Sequence, residues 1–296
     1  MENNQTTLTR LKLDMQMRGL ALGTQDAYTR YVRNFLEFSD KAVDELDVND
    51  ARGYIVHLME KGENCASTIN LKNSAIRFLF AVTLDKAINY LQLPRFKTHR
   101  KLPEILTREE VRKLVCGCSN LKHKAFILLA YGGGLRVSEI ASLRISDIES
   151  DSMRIFIRGG KGGKDRYTIL SHECLDVLRQ YWSAYKPRHH ERWLFPGNSK
   201  GASEKVSKTH DITHVLSDSI AKAFKSCLKK SGITKEVSIH SLRRSFATHL
   251  LEDGASLLQI KELLGHASFN STAIYLQLAN LMTGIVSPAD RLAANG

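Results

Sequence analysis

Apolar residues in the first 91 positions recur at helical spacing. Ala27, Tyr28, Tyr31, Val32, Phe35 and Leu36 share one face of a segment that Thr24 can cap. Asp47 can cap the next, which runs through Tyr54, Ile55, Leu58 and Met59 to a natural stop at Gly62. A third runs from about Ser67 through Leu71, Ile76, Phe78, Leu79 and Phe80, and a weaker helical pattern covers residues 7–18. Pro94 and Pro103 then interrupt regular structure, so residues 92–104 read as a linker. The pattern resumes with the capping box Thr107-Arg108-Glu109-Glu110 and continues through Phe126, Leu128 and Leu129 towards Gly132-Gly133-Gly134. The period next switches to two. Met153–Arg158 alternates, and Arg166–Leu170 follows a glycine-rich turn, which predicts a β-hairpin. Helical spacing returns as far as about residue 279. The expected fold is mainly α in two domains: a helical bundle over 1–91 and a mostly helical domain over 105–296 with a small antiparallel β-sheet, joined by a basic linker.

Length agrees with that division, since 296 residues are long for one domain and comfortable for two. No apolar run approaches the roughly 20 residues that span a bilayer. The Met1-Glu-Asn-Asn-Gln start lacks a signal-peptide pattern, so a cytoplasmic location without membrane contact is expected. Five cysteines without C-x-x-C spacing read as reduced thiols that mostly fill cores, rather than a disulfide framework or a zinc ribbon. The net charge of +12 is uneven: residues 1–104 hold 15 basic and 13 acidic groups, residues 105–296 hold 28 and 18. Such a surplus favours a polyanion, whose released counterions drive binding. In the first domain, where the charge nearly cancels, DNA contact needs one face, for instance Lys72 and Arg77. In the linker, Arg95, Lys97, Arg100 and Lys101 suit a strap along a phosphate backbone, and equally a solvated segment.

Four short stretches carry reactive groups. Arg136 stands beside three glycines in Gly134-Leu135-Arg136-Val137-Ser138-Glu139, where backbone can approach a ligand closely. A plain Arg136–Glu139 pair on a helix explains it as well. Gly159-Gly160-Lys161-Gly162-Gly163-Lys164 forms a basic turn. It is no phosphate-binding P-loop, because no Ser or Thr follows a lysine that opens a helix. It can enter a DNA groove or stay solvated. His240 and Arg243 lie three apart, on one helical face, and are followed by Arg244 and His249. Gly265-His266 precedes Tyr275 by nine residues, and a lone tyrosine there also fits core packing.

Taken in order, these stretches resemble the signature of the tyrosine recombinase (phage integrase) family: an arginine, a hairpin lysine, H-x-x-R, a G-H pair and a later tyrosine. The N-terminal bundle is similar to that family's SAM-like core-binding domain, so the resemblance spans nearly the whole chain. It implies an Xer-like two-domain site-specific recombinase that cleaves and rejoins DNA through a 3′-phosphotyrosine, with no cofactor or metal. It implies Tyr275 as nucleophile, His240 as its base, Lys161 as general acid, Arg136 and Arg243 as phosphate clamps, His266 as a phosphate or tyrosine partner, and Glu139 as a supporting acid. Lys164 and Arg244 are expected on the DNA side. His249 is family-like too, although helix packing accounts for it. The implied partner is double-stranded DNA with inverted-repeat half-sites, bound by a homotetramer. Leu278, Leu281, Met282, Ile285 and Val286 of the tail would dock on a neighbouring protomer, or pack on their own domain. Two rivals share the fold: a type IB topoisomerase that relaxes DNA, and a DNA-binding regulator without catalysis. Integrase and resolvase roles are not separable from these residues.

Overall fold

The computed structural model divides into two units, Met1–Lys101 and Leu102–Gly296. It describes residues 4–86, 88–89, 92–98, 102–160, 164–186, 193–197, 214–266 and 268–279. Lys161, Arg100, Lys101, Tyr90 and the tail residues Leu281, Met282, Ile285 and Val286 lie outside the described residues.

The first unit packs α1 (Asn4–Met17), α2 (Leu22–Ser39), α3 (Val48–Glu60) and α4 (Ala66–Phe78) around Leu11, Met15, Phe35, Leu36, Ile76 and Phe80. Asp47 caps α3 as its sequence requires. Its carboxylate accepts from the Asn49 and Asp50 amides, and Asp50 accepts from the Asp47 amide in return. Gly62, with φ of +65°, ends the same helix in the left-handed region. The Thr24 cap is corrected: α2 has already begun at Leu22, and the Thr24 amide donates to Ala21 O at 2.8 Å. The turn before it is closed instead by Gln25, whose side chain donates to Leu20 O. α4 runs on into a wider π turn over Leu79–Thr83.

Residues 92–97, read as a strap, lie along α4. Leu93 is buried in the bundle core, Asn70 pairs with both backbone groups of Phe96, and Asn73 donates to Pro94 O at 3.1 Å. Arg77, expected at a phosphate, donates to the Leu93 carbonyl. Lys72 is buried, and that burial lowers the pKa of its ammonium. Of the two cations read as a DNA face on α4, Arg77 is thus held by the returning chain, while Lys72 is buried near Glu63. Arg95 and Lys97 are exposed.

In the second unit, Thr107 and Glu110 form the expected capping box at the start of α5 (Arg108–Cys116). The central helix is α6 (Leu121–Gly132), buried from Ala125 to Ala130. After the short α7 (Val137–Ala141) comes the sheet β1 (Ile148–Glu149), β2 (Arg154–Ile157) and β3 (Arg166–Ile169), antiparallel in that order. The hairpin pairs Ile155 with Thr168 and Ile157 with Arg166. Ile155 and Ile157 point into a core shared with Phe126, Leu129, Phe224 and Leu242. The chain continues through α8 (His172–Tyr185), α9 (Ser217–Lys230), α10 (Ile239–Glu252), α11 (Leu257–Leu264) and α12 (Asn270–Leu278). A separate apolar cluster of Phe246, Leu251, Ile260, Leu264 and Tyr275 joins α10, α11 and α12.

Cys174 is a buried core thiol as expected, while Cys65 and Cys116 are exposed. The remaining two, Cys118 and Cys227, bring their sulfurs together with Cα atoms 5.2 Å apart, so the turn after α5 lies against α9. Among the described residues no helix is long and apolar enough to cross a membrane.

Candidate active site

One glycine of the run brings the start of α7 against α10. Gly134 has φ of +63°, and a Cβ there would meet the Phe246 ring at 2.5 Å and Leu264 Cδ2 at 2.9 Å. Only glycine admits that approach, and it sets Arg136 at the N-cap of α7. Glu139, one turn on, accepts from the Arg136 amide at 2.8 Å and from its guanidinium at 2.7 Å. The local Arg136–Glu139 pair read as an alternative therefore exists, and it is part of a larger cluster.

Glu139 is the hub. Arg166, at the start of β3, grips both of its oxygens at 2.8 Å, and Arg243 Nη1 stands 3.7 Å away. Burial pushes the Glu139 carboxyl up, but hydrogen bonds and charge from Arg166, then from Arg136, overcome it and hold the pKa at about 2. Glu139 is ionised at neutral pH. Arg243 is buried on the inner face of α10, donating to Gly134 O at 2.5 Å and to Leu264 O at 2.6 Å. Burial and the positive charge of Arg136 lower its pKa. Two of its five N–H groups are spent on carbonyls, which lock its plane and leave donors for an oxyanion.

The Leu264 carbonyl links this cluster to the tyrosine. Gly265, with φ of +61°, ends α11, and His266 follows. The His266 ring lies almost parallel to Tyr275, and its Nδ1 stands 3.0 Å from Thr272 Oγ1. Tyr275 is buried on α12. Burial raises its pKa against the opposing charges of Arg243, Arg244 and Arg136, so the phenol keeps its proton at neutral pH. His240 is exposed at the second position of α10. Desolvation, then Arg244, Arg243 and Arg136, lower its pKa, so its ring is neutral and can accept a proton.

Arg136, Glu139, Arg243, His266 and Tyr275 are thus joined by contacts or fields, with His240 and Arg244 bordering them. Lys161 lies outside the described residues. Lys164 is exposed at the neck of the hairpin, where its carbonyl accepts from the Gly160 amide at 3.0 Å. Asp165 accepts from the Gly159 amide at 2.7 Å and so braces the neck of the hairpin. Of the other tyrosines, Tyr131 is bonded to His249 Nδ1 at 2.9 Å, and Tyr167 lies under the Arg154 guanidinium. The residue missed by sequence reasoning is Arg166. Its signal was the period-two alternation that puts it on the inner face with Thr168.

Comparison with known proteins adds an independent result. Residues 104–281 match the phage integrase family, and residues 8–90 match the phage integrase N-terminal SAM-like domain. The y4qK protein of Sinorhizobium fredii is 39% identical over 285 residues, covering 96% of this chain and 88% of its own. Tyrosine recombinase XerA of Thermococcus kodakarensis is 34% identical over 267 residues, with 89% and 88% covered. The fold is similar to that of the XerH site-specific recombinase bound to palindromic difH in a post-cleavage complex, with a TM-score of 0.68 and 21% identity over 92% of this chain and 81% of that one.

Proposed function

The chain belongs to the phage integrase family, and from that premise we propose that it is a site-specific DNA recombinase working through a covalent 3′-phosphotyrosine at Tyr275. The observation that carries this reading is the setting of Tyr275: a buried, protonated phenol against His266, in the field of Arg243, Arg244 and Arg136.

In the proposed reaction the Tyr275 oxygen attacks the scissile phosphorus in line, and its proton passes to His240. At an ordinary pKa only about one phenol in a thousand is ionised at pH 7, and burial lowers that fraction further, so a base is needed. The bond from phosphorus to the 5′-oxygen breaks, and the Lys161 ammonium protonates the departing oxygen. Arg136 and Arg243 meet the charge that builds on the non-bridging oxygens. The phosphotyrosine ester conserves the bond energy. A 5′-hydroxyl from another strand then expels Tyr275 and reseals the backbone without a nucleotide. The partner is double-stranded DNA with inverted-repeat half-sites, a reading supported by the palindromic site of the XerH relative and by the basic surplus of residues 105–296. Exposed Arg95, Lys97 and Lys164 serve its backbone. Exchange takes place in a cytoplasmic homotetramer, with residues 1–91 as the core-binding domain.

A nicked suicide substrate tests the reading. Wild type should form a covalent adduct at a 3′-phosphate, while Tyr275→Phe should bind the same DNA and form none. An adduct that persists in that variant overturns the assignment.

A further inference from the structure

We propose that Arg166 is a positioning residue for strand cleavage: it takes up the charge of Glu139, so that Arg136 and Arg243 keep theirs for the phosphate, and it holds the hairpin against the His266 turn. The proposal rests on the reading of the site given above.

Charge balance is the first argument. Three guanidiniums surround one buried carboxylate, and they do not share it equally. Arg166 makes the two-pronged pairing, with both side chains closed to water (8% and 7% exposed). Arg136 gives Glu139 a single side-chain bond and remains 21% exposed, while Arg243 stands at 3.7 Å. Arg166 and Glu139 therefore form a neutral unit, and Arg136 and Arg243 leave two positive charges. An attacked phosphodiester passes through a pentacoordinate state carrying about two negative charges, which these two cations match. Without Arg166, the Glu139 carboxylate would cancel one of them and compete with the phosphate for Arg136.

The second argument is mechanical. Arg166 Nε donates to Leu263 O at 2.9 Å, just before the Gly265–His266 turn. A Cβ on Gly265 would lie 2.8 Å from Arg166 Cδ, so glycine there makes room for the arginine shaft. Arg166 is also paired with Ile157, the last residue of β2. One side chain thus registers three elements: α7 with Arg136 and Glu139, the turn with His266, and the β2–β3 pair. Lysine cannot replace it, because one ammonium does not offer two parallel N–H groups together with a third to Leu263.

Four proteins decide the matter: wild type, Arg166→Met, Arg166→Lys and the double variant Arg166→Met/Glu139→Gln. Each is measured for half-site affinity, thermal midpoint and single-turnover adduct formation on a suicide substrate. Arg166→Met should bind within about threefold of wild type but cleave about 100-fold more slowly or worse. The double variant should regain about tenfold over Arg166→Met, since it removes the carboxylate left without its partner. On a substrate with methyl in place of one non-bridging oxygen, the transition state carries one charge less. There the Arg166→Met deficit should shrink by about tenfold, which a merely structural defect would not do. Wild-type cleavage by Arg166→Met overturns the proposal, as does a folded double variant no faster than Arg166→Met. If Arg166→Met does not fold, Arg166→Lys decides: about tenfold slower cleavage with unchanged binding supports the fork's role, and wild-type cleavage overturns it. No adduct from wild type itself would sink the underlying reading instead.

Discussion

The rings of His266 and Tyr275 lie 16° from parallel, with centroids 6.2 Å apart, although the first belongs to the turn after α11 and the second to α12. Thr272 makes this arrangement possible. It is buried three residues before Tyr275 on the same helix face, and its hydroxyl stands 3.0 Å from His266 Nδ1. The imidazole is thus oriented from within the helix that carries the phenol. Thr272→Val keeps the shape and removes the hydroxyl. Single-turnover cleavage should slow about tenfold or more, because small misplacements of reacting groups are costly. Thr272→Ser should restore most of the rate, and DNA affinity should hold in both.

The pH profile of cleavage should follow His240. Its pKa lies below the ordinary 6.5, so the proton is already gone at neutral pH and the base is ready. The adduct rate should rise through the acid range and level off below pH 6.5, while the Tyr275 phenol, raised above 10, stays protonated across the plateau. In His240→Asn the acid limb should vanish, and a much slower rate should climb steadily with pH. An acid limb that survives in that variant would place the base elsewhere.

Gly134 tolerates no side chain. Alanine would hold a left-handed φ of +63° and press its Cβ to within 2.5 Å of the Phe246 ring. Backbone strain and overpacking together predict a loss of about 3 kcal/mol from the second unit, measurable by urea unfolding. Cleavage should fall with it, because the same turn supplies the carbonyl that holds Arg243.

The hairpin lysines separate by leaving-group chemistry. Lys161→Ala should slow cleavage severely on ordinary DNA. It should recover when the bridging 5′-oxygen is replaced by sulfur, whose departure needs no proton. Lys164, exposed at the neck of the turn, should show only a modest binding loss on both substrates when changed to alanine. Sulfur rescue of Lys164→Ala, with Lys161→Ala left inactive, would reverse the two roles.

The sequence by itself determined the elements and the order of the reactive residues. Helical periodicity, the capping boxes at Asp47 and Thr107 and the alternation of Met153–Arg158 are local signals, read within one or two turns of chain. Arg136, His240, Arg243, His266 and Tyr275 stand out only together, as short stretches whose order along the chain resembles a family signature. Tertiary structure alone decided which charge meets which. Arg166 reaches Glu139 across 27 positions and Leu263 across 97, and no short pattern encodes either partner. Arg77 is drawn to the Leu93 carbonyl because the chain returns along α4, and Cys118 meets Cys227 because the turn after α5 lies beside α9. A long polar side chain takes whatever partner packing brings within hydrogen-bond reach, and burial makes that partner obligatory.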